Sequence, residues 1–145
     1  MIARFLLERI AEKYETTISY EPKPFTHING SGCHTNFSTL KMRTPCNDNT
    51  GLKEICRVID ILEKGHMEDI KHYGVSNELR LSGNHETSSY NTFTWGVGDR
   101  GVSVRINNNT HNAGYGYFED RRPAANMDPY LVTSMLMMRS IDMDF

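Results

Sequence analysis

The stretch from Arg80 to Pro123, RLSGNHETSSYNTFTWGVGDRGVSVRINNNTHNAGYGYFEDRRP, constrains the chain most. Short apolar runs there are punctuated by glycine, which reads as short strands joined by turns. Five arginines, Arg80, Arg100, Arg105, Arg121 and Arg122, stand among them with the glutamates Glu86 and Glu119. A guanidinium is a planar fork of donors that matches carboxylate and phosphate oxygens two at a time. Glycine admits a ligand close to the backbone. This is the makeup of an anion-handling site, although the same residues would also serve as surface ion pairs on an ordinary sheet.

Periodicity assigns the remaining elements. Ile2, Phe5, Leu6, Ile10 and Tyr14 recur at helical spacing and predict an amphipathic helix over 2–14. Residues 16–20 are β-branched and aromatic and read as a strand ended by Pro22 and Pro24. Asn29-Gly30 and Ser31-Gly32 are turn signals, compatible with a hairpin into a strand over 34–39. Residues 42–50 read as a polar loop, with Asn49 or Thr50 able to cap the next helix. In that helix Leu52, Ile55, Ile59 and Leu62, with Val58 beside them, form a clear apolar stripe that Gly65 interrupts; His66 and His72 fall near its last turn.

Further on, 74–78 is a turn, 92–95 and 102–106 read as strands and 107–116 as a loop. Residues 117–120 return to strand, with Glu119 and Arg121 on one face and Phe118 on the other. Arg105 likewise faces away from the apolar side of its strand. Asp128-Pro129 starts a last helix lined by Leu131, Met135 and Met138. The expected fold class is α+β, one domain over 1–145 with an antiparallel or mixed sheet flanked by helices.

A net charge of −2 and a pI near 6.3 leave no basic excess for a nucleic-acid backbone. No run reaches the length of a membrane span, and charges come too early for a secretory leader. The cysteines Cys33, Cys46 and Cys56 are odd in number and lack C-x-x-C spacing, which favours a reducing, cytoplasmic setting. If His34 and Glu119 share a site, imidazole nitrogen and carboxylate oxygen suit Mg²⁺ or Mn²⁺, with further ligands supplied from elsewhere. Arg100, Arg105 and Arg121 would then neutralise phosphate or carboxylate oxygens, with Glu86 as a mobile loop base.

NGSGCHTNFST at 29–39, RLSGNHET at 80–87, WGVGDRGVSVRI at 95–106 and GYFEDRRPAANMDPY at 116–130 stand in the order of the signature blocks of glutamine synthetase, in its eukaryotic form, and the chain resembles that family along nearly its whole length. The resemblance implies an ATP-dependent ligase that joins glutamate and ammonia through γ-glutamyl phosphate. It assigns glutamate binding to Asn29, Gly30, Arg80, Arg100 and Arg121. It assigns ATP binding to Asn36, Phe37, Ser38, Arg100, Arg105, Tyr117, Phe118 and Glu119, and a metal, Mg²⁺ or Mn²⁺, to His34 and Glu119. Glu86 and Arg100 become the catalytic pair, Glu86 closing the site and deprotonating ammonium.

The family's N-terminal β-grasp domain and the strands whose glutamates complete its metal sites have no counterpart here. The resemblance therefore leaves two expectations open. One is a split ligase, working as a homo-oligomer or with a complementing chain. The other is a catalytically incomplete fragment that acts as an assembly partner of a full synthetase. Apolar surface left open by the missing part is expected on either reading. Asp99 and Gly98 stand where the family more often has Asn and Ala, changes expected to leave that turn intact.

Overall fold

A computed structural model describes residues 1–45 and 47–143; Cys46 lies outside them. The fold is α+β. Four short strands, β1 (Thr35–Phe37), β2 (Trp95–Val97), β3 (Val104–Ile106) and β4 (Phe118–Asp120), form one mixed sheet in the order β1-β4-β3-β2. The central strand β4 runs antiparallel to β1 and β3, while β2 and β3 are parallel. A parallel pair ordinarily needs a crossover of a dozen or more residues. Here each strand is three residues long, so residues 98–103 suffice to carry the chain back.

Among the described residues six α-helices accompany the sheet: α1 (Ile2–Lys13), α2 (Leu40–Arg43), α3 (Thr50–Lys64), α4 (His66–Asp69), α5 (Asn108–Ala113) and α6 (Pro129–Ser140). The stripe expected on α3 is buried as Ile55, Val58, Ile59 and Leu62. It packs with Val104, Ile106 and Phe118 of the sheet and with Val132, Met135 and Leu136 of α6 into one core. Asp128 accepts from the amides of Tyr130 and Leu131 and so starts α6, with Pro129 at its first position. The buried face of α6 is centred on Val132, Met135, Leu136 and Arg139 rather than on Leu131 and Met138. Arg139 accounts for the rotation, because it is drawn inward to Asp69 at 3.0 Å and Glu68 at 2.7 Å.

Several expectations fail for identifiable reasons. Residues 16–20 form no strand; they find no neighbouring edge, and a β-prone sequence needs one. Asn29-Gly30 makes no hairpin; instead Ser31 donates to the Pro22 carbonyl at 2.7 Å and Ala125 to the Ser31 carbonyl at 3.1 Å. Polar residues cap two unexpected helices: α2, which follows the strand expected over 34–39 and takes in the first residues of the loop expected over 42–50, and α5, inside the loop expected over 107–116. The Thr39 hydroxyl accepts from the Met42 amide at the start of α2. Asn107 accepts from the Thr110 amide at 2.8 Å, and Gly114, at φ +77°, ends α5. The helix cap at Asn49 is positional only, since its side chain makes no capping bond. Strand β2 begins at Trp95, not Thr92: the Val104 amide donates to the Thr94 carbonyl as the first bond of the β2–β3 ladder, and the Ser103 amide shares that carbonyl.

The amphipathic helix α1 exists, but it faces the wrong way for a core element. Ala11 is its buried residue, and Phe5 and Ile10 are 60% and 55% exposed.

Candidate functional site

The pleat builds the site. Registration aligns Asn36, Glu119, Arg105 and Gly96 in one row across all four strands. The flanking residues Phe37, Phe118, Ile106, Asp120 and Val104 point to the opposite face and meet the core, apart from the edge positions. The expected alternation therefore holds. Glu119 and Arg105 face out together, with Arg105 Nε and Glu119 Oε2 2.6 Å apart. The N–H is not aimed at the oxygen, so this is an ion pair rather than a directed hydrogen bond. One step along the same face, His34 Nδ1 lies 3.0 Å from Glu119 Oε1, and Arg121 Nη1 lies 3.4 Å from each of them. The shorter contact sets the tautomer: Nδ1–H donates to the carboxylate. Burial, and secondarily the Arg121 charge, hold the His34 pKa below its ordinary value.

Beside this row a polar pocket of about 230 Å³ is lined by Asn29, Gly30, Gly32, His34, Arg80, His85, Glu86, Thr87 and Arg121. Arg80 is 5% exposed. Its Nη2 donates to the carbonyls of Arg121, Arg122 and Pro123, and its Nε to Asn77 Oδ1 at 3.0 Å. No carboxylate pairs with it among the described residues. Burial and the neighbouring Arg121 charge lower its pKa to about 10. Its remaining Nη1 reaches the pocket, where a Cβ added at Gly32 would lie 2.7 Å from it and 3.0 Å from His34 Nε2. Gly32 is thus the cradle on which both groups converge.

Over the pocket stands the 82–89 loop, pinched at its base by a bridge between Ser82 and Ser89. His85 and Glu86 both hold positive φ, +55° and +60°, conformations uncommon for such residues. Glu86 and Arg100 approach at 3.5 Å, each 64% exposed. Arg121 Nη2 ties the two segments together through the carbonyls of Glu86, at 3.1 Å, and Arg100, at 2.9 Å. The Asp99 carboxylate accepts from the Gly101 amide at 2.7 Å and holds that turn. Gly98, at φ +68°, leaves room for Asn108.

The residues assigned to the nucleotide gather at the β1 edge and the entry to β4. Asn36 and Tyr117 are exposed, and Ser38 accepts from Arg43 through its hydroxyl and carbonyl. The rings of Phe37 and Phe118 pair 5.6 Å apart on the core side. Phe118 is fully buried, so only its backbone faces the site side.

Residue-by-residue reading missed the cluster under β4. Arg122 is 0% exposed and uses its whole fork: Nε and Nη2 on Asp120, Nη2 on Tyr73 Oη, Nη1 on His66 Nδ1. The rings of Tyr73 and Phe93 cover it at 4.9 and 5.2 Å. Adjacent arginines on a strand point to opposite faces, and that was the available signal. His66, the first residue of α4, belongs to this buried cluster.

The donor set fits a divalent ion in part. Neighbouring ligands around an octahedral ion at 2.0–2.1 Å sit about 3 Å apart, the separation of His34 Nδ1 and Glu119 Oε1, so an ion there would have to displace the Nδ1 proton that now joins them. Among the described residues no group of three or more His, Cys, Asp and Glu side chains converges.

Three comparisons bear on this arrangement. The family model described as the glutamine synthetase catalytic domain matches residues 1–142. A cytosolic glutamine synthetase isozyme of Pinus sylvestris is 51% identical over 140 residues, which is 96% of this chain and 38% of the relative. Glutamine synthetase N-1 of Phaseolus vulgaris is 54% identical over 136 residues, 93% of this chain and 37% of the relative. The chain thus spans well under half the length of these relatives. A Plasmodium falciparum glutamine synthetase structure superposes with a TM-score of 0.74 at 21% identity, over 97% of this chain and 28% of that one, a likeness of fold.

Proposed function

The chain belongs to the glutamine synthetase catalytic-domain family, and on that footing we propose that it supplies the glutamate- and phosphate-handling part of an ATP-dependent glutamate–ammonia ligase. The observation that carries this reading is the buried Arg80, which pairs with no carboxylate among the described residues and converges with His34 on Gly32 in a pocket that Arg121 also lines. A buried cation left unpaired is costly unless an anion completes it. Around the pocket and the row, Arg100 pairs with Glu86, and Arg105 and Arg121 share Glu119, which leaves Arg80 without a carboxylate partner among the described residues. Glutamate and a phosphate meet that demand.

In this reading Asn29, Gly30, Arg80 and Arg121 hold glutamate at the pocket. Arg100 and Arg105 neutralise the phosphate as it moves from ATP to the γ-carboxylate. Asn36, Phe37, Ser38, Tyr117 and Phe118 frame the nucleotide. Mg²⁺ or Mn²⁺, when bound by His34 and Glu119 with ligands from outside the chain, supplies charge neutralisation at the phosphates. Glu86, on its exposed loop, takes a proton from ammonium; the free ammonia attacks the acyl phosphate, phosphate leaves, and glutamine forms. The setting is cytoplasmic. Among the described residues no helix is long and apolar enough to cross a membrane.

The missing third ligand favours a second reading, a catalytically incomplete assembly partner of a full synthetase. Substituting Glu86 or Arg100 by Ala separates the two, since only the ligase reading loses its effect. The direct test is calorimetry of ATP binding with saturating Mn²⁺, on the chain and on the His34→Ala, Glu119→Ala double variant. Binding confined to the unsubstituted chain is expected. Equal binding by both, or by neither, overturns the proposed site.

A further inference from the structure

We propose that a second anion site lies beside the 82–89 loop, outside the pocket of Arg80, and takes a small oxyanion, a carboxylate or a phosphate, on Lys23 and on the loop itself. A cavity of about 350 Å³ is lined there by Lys23, Thr26, Leu79, Ser82, Asn84 and His85. His85 also lines the pocket that holds Arg80, Glu86 and Arg121, so the two cavities meet at one residue of the loop.

The lining of this outer cavity offers donors and holds no acid. Lys23 is half-buried. Its Nζ donates to the Ile28 carbonyl at 2.6 Å, which leaves two of its three N–H groups, and no carboxylate among the described residues pairs with it. A partly buried ammonium has given up part of its hydration, and an anion is the partner that restores the balance. Ser82 Oγ accepts from the Asn84 amide at 3.4 Å and keeps its own O–H to donate. The hydroxyl of Thr26, the side-chain amide of Asn84 and the imidazole of His85 are exposed around it. With neither carboxylate nor thiolate in the lining, a metal ion has no place here. Leu79 gives one apolar wall, which suits the alkyl part of a short carboxylate.

The loop between the cavities is one that an anion can hold. Its base is pinned by the Ser82–Ser89 bridge and by the Gly83 amide on the Ser88 carbonyl at 3.2 Å. Its tip carries His85 and Glu86 in left-handed conformations, and Arg121 Nη2 holds the Glu86 carbonyl from the inner pocket. An anion joining Lys23 to Ser82 and Asn84 holds the same loop from the outer cavity. It fastens the loop to the chain segment that continues into Asn29 and Gly30 of the inner pocket. On the ligase reading, occupancy of the outer site therefore regulates how freely Glu86 moves; the site itself does not depend on that reading. One lysine faces the outer cavity where Arg80 and Arg121 face the inner one, so the inner fills first.

Orthophosphate and propionate are titrated separately into the isotope-labelled chain, and backbone amide shifts are followed by nuclear magnetic resonance against sodium chloride of equal ionic strength. Thr26 and Ser82 should move with a midpoint of their own, at about tenfold higher concentration than Gly32 and His34. The anion with the lower midpoint at Thr26 and Ser82 identifies the source, phosphate or carboxylate. Lys23→Met should weaken the outer response about tenfold and leave the inner one, and Lys23→Arg should keep both. Where Lys23→Met loses its dispersed spectrum, Thr26→Asp replaces it, since it sets a carboxylate at an exposed position of the outer cavity alone. Movement of Thr26 and Ser82 with Gly32 and His34 unmoved would keep this site and remove the proposed glutamate pocket. The outer site is overturned if Thr26 and Ser82 stay still, share the midpoint of Gly32, answer equally to chloride, or respond undiminished in Lys23→Met or Thr26→Asp.

Discussion

At the residue scale, the site is a matter of which nitrogen each side chain has left to give. Arg80 donates to the chain itself through Nε and Nη2 and keeps Nη1 for the pocket. Its task is therefore as much to fold the 121–123 turn as to hold an anion. Gly32→Ala would place a methyl group against Arg80 Nη1 and His34 Nε2. We expect inorganic phosphate to bind at least tenfold more weakly to that variant, about 1.4 kcal/mol, with little change in melting temperature; calorimetry and a melt check both. His66 gives a pH dependence. Its Nε2–H donates to the Tyr90 carbonyl at 2.9 Å and its Nδ1 accepts from Arg122, so the folded protein holds it neutral. Burial first, then the Arg122 charge, lower its pKa. The folded value lies below the unfolded one, so its contribution is complete above about pH 6.5 and is lost as pH falls through the folded value. Melting temperature should drop between pH 7 and 5, and His66→Gln should flatten part of that drop. An unchanged profile would remove His66 from the account.

At the scale of elements, β4 is held from beneath. Glu119 and Arg121 face the site because Asp120 and Arg122 are locked in the interior, both at 0% side-chain exposure. Arg122→Leu would leave the Asp120 carboxylate buried and unpaired, at a cost of about 3–5 kcal/mol. Against a total stability of about 5–15 kcal/mol this is a large fraction, and urea denaturation should show it as a shifted midpoint. Helix α5 rests on its two ends. Asn107→Ala should cost about 1 kcal/mol by removing the bond to the Thr110 amide. Gly114→Ala should cost more than that, since the glycine sits at φ +77° against Asn49. The same two caps explain why an Asn- and Thr-rich segment that reads as a loop is helical: its polar residues satisfy the helix ends rather than solvent.

At the scale of the molecule, an overall charge of −2 hides a positive site. Orthophosphate is expected to bind that site in the folded chain and not in the unfolded one, and should then stabilise by about 2.7 kcal/mol at a hundredfold excess over its dissociation constant. Sodium chloride at equal ionic strength should do much less. Equal effects would mean general screening rather than a site.

The four signature blocks, the α3 stripe and the opposed faces of Phe118 and Glu119 were legible in the sequence, because motif order and side-chain periodicity are local properties of the chain. The parallel pairing of β2 with β3, the missing strand over 16–20, the buried partners of Arg122 and the outward turn of α1 were not. Each depends on which distant segment lies alongside: an edge to pair with, Asp120 and His66 to receive a guanidinium, Ala125 and Met127 to hold Arg4. A period shows that a helix has two faces, and only the packing of the rest of the chain decides which of them is buried.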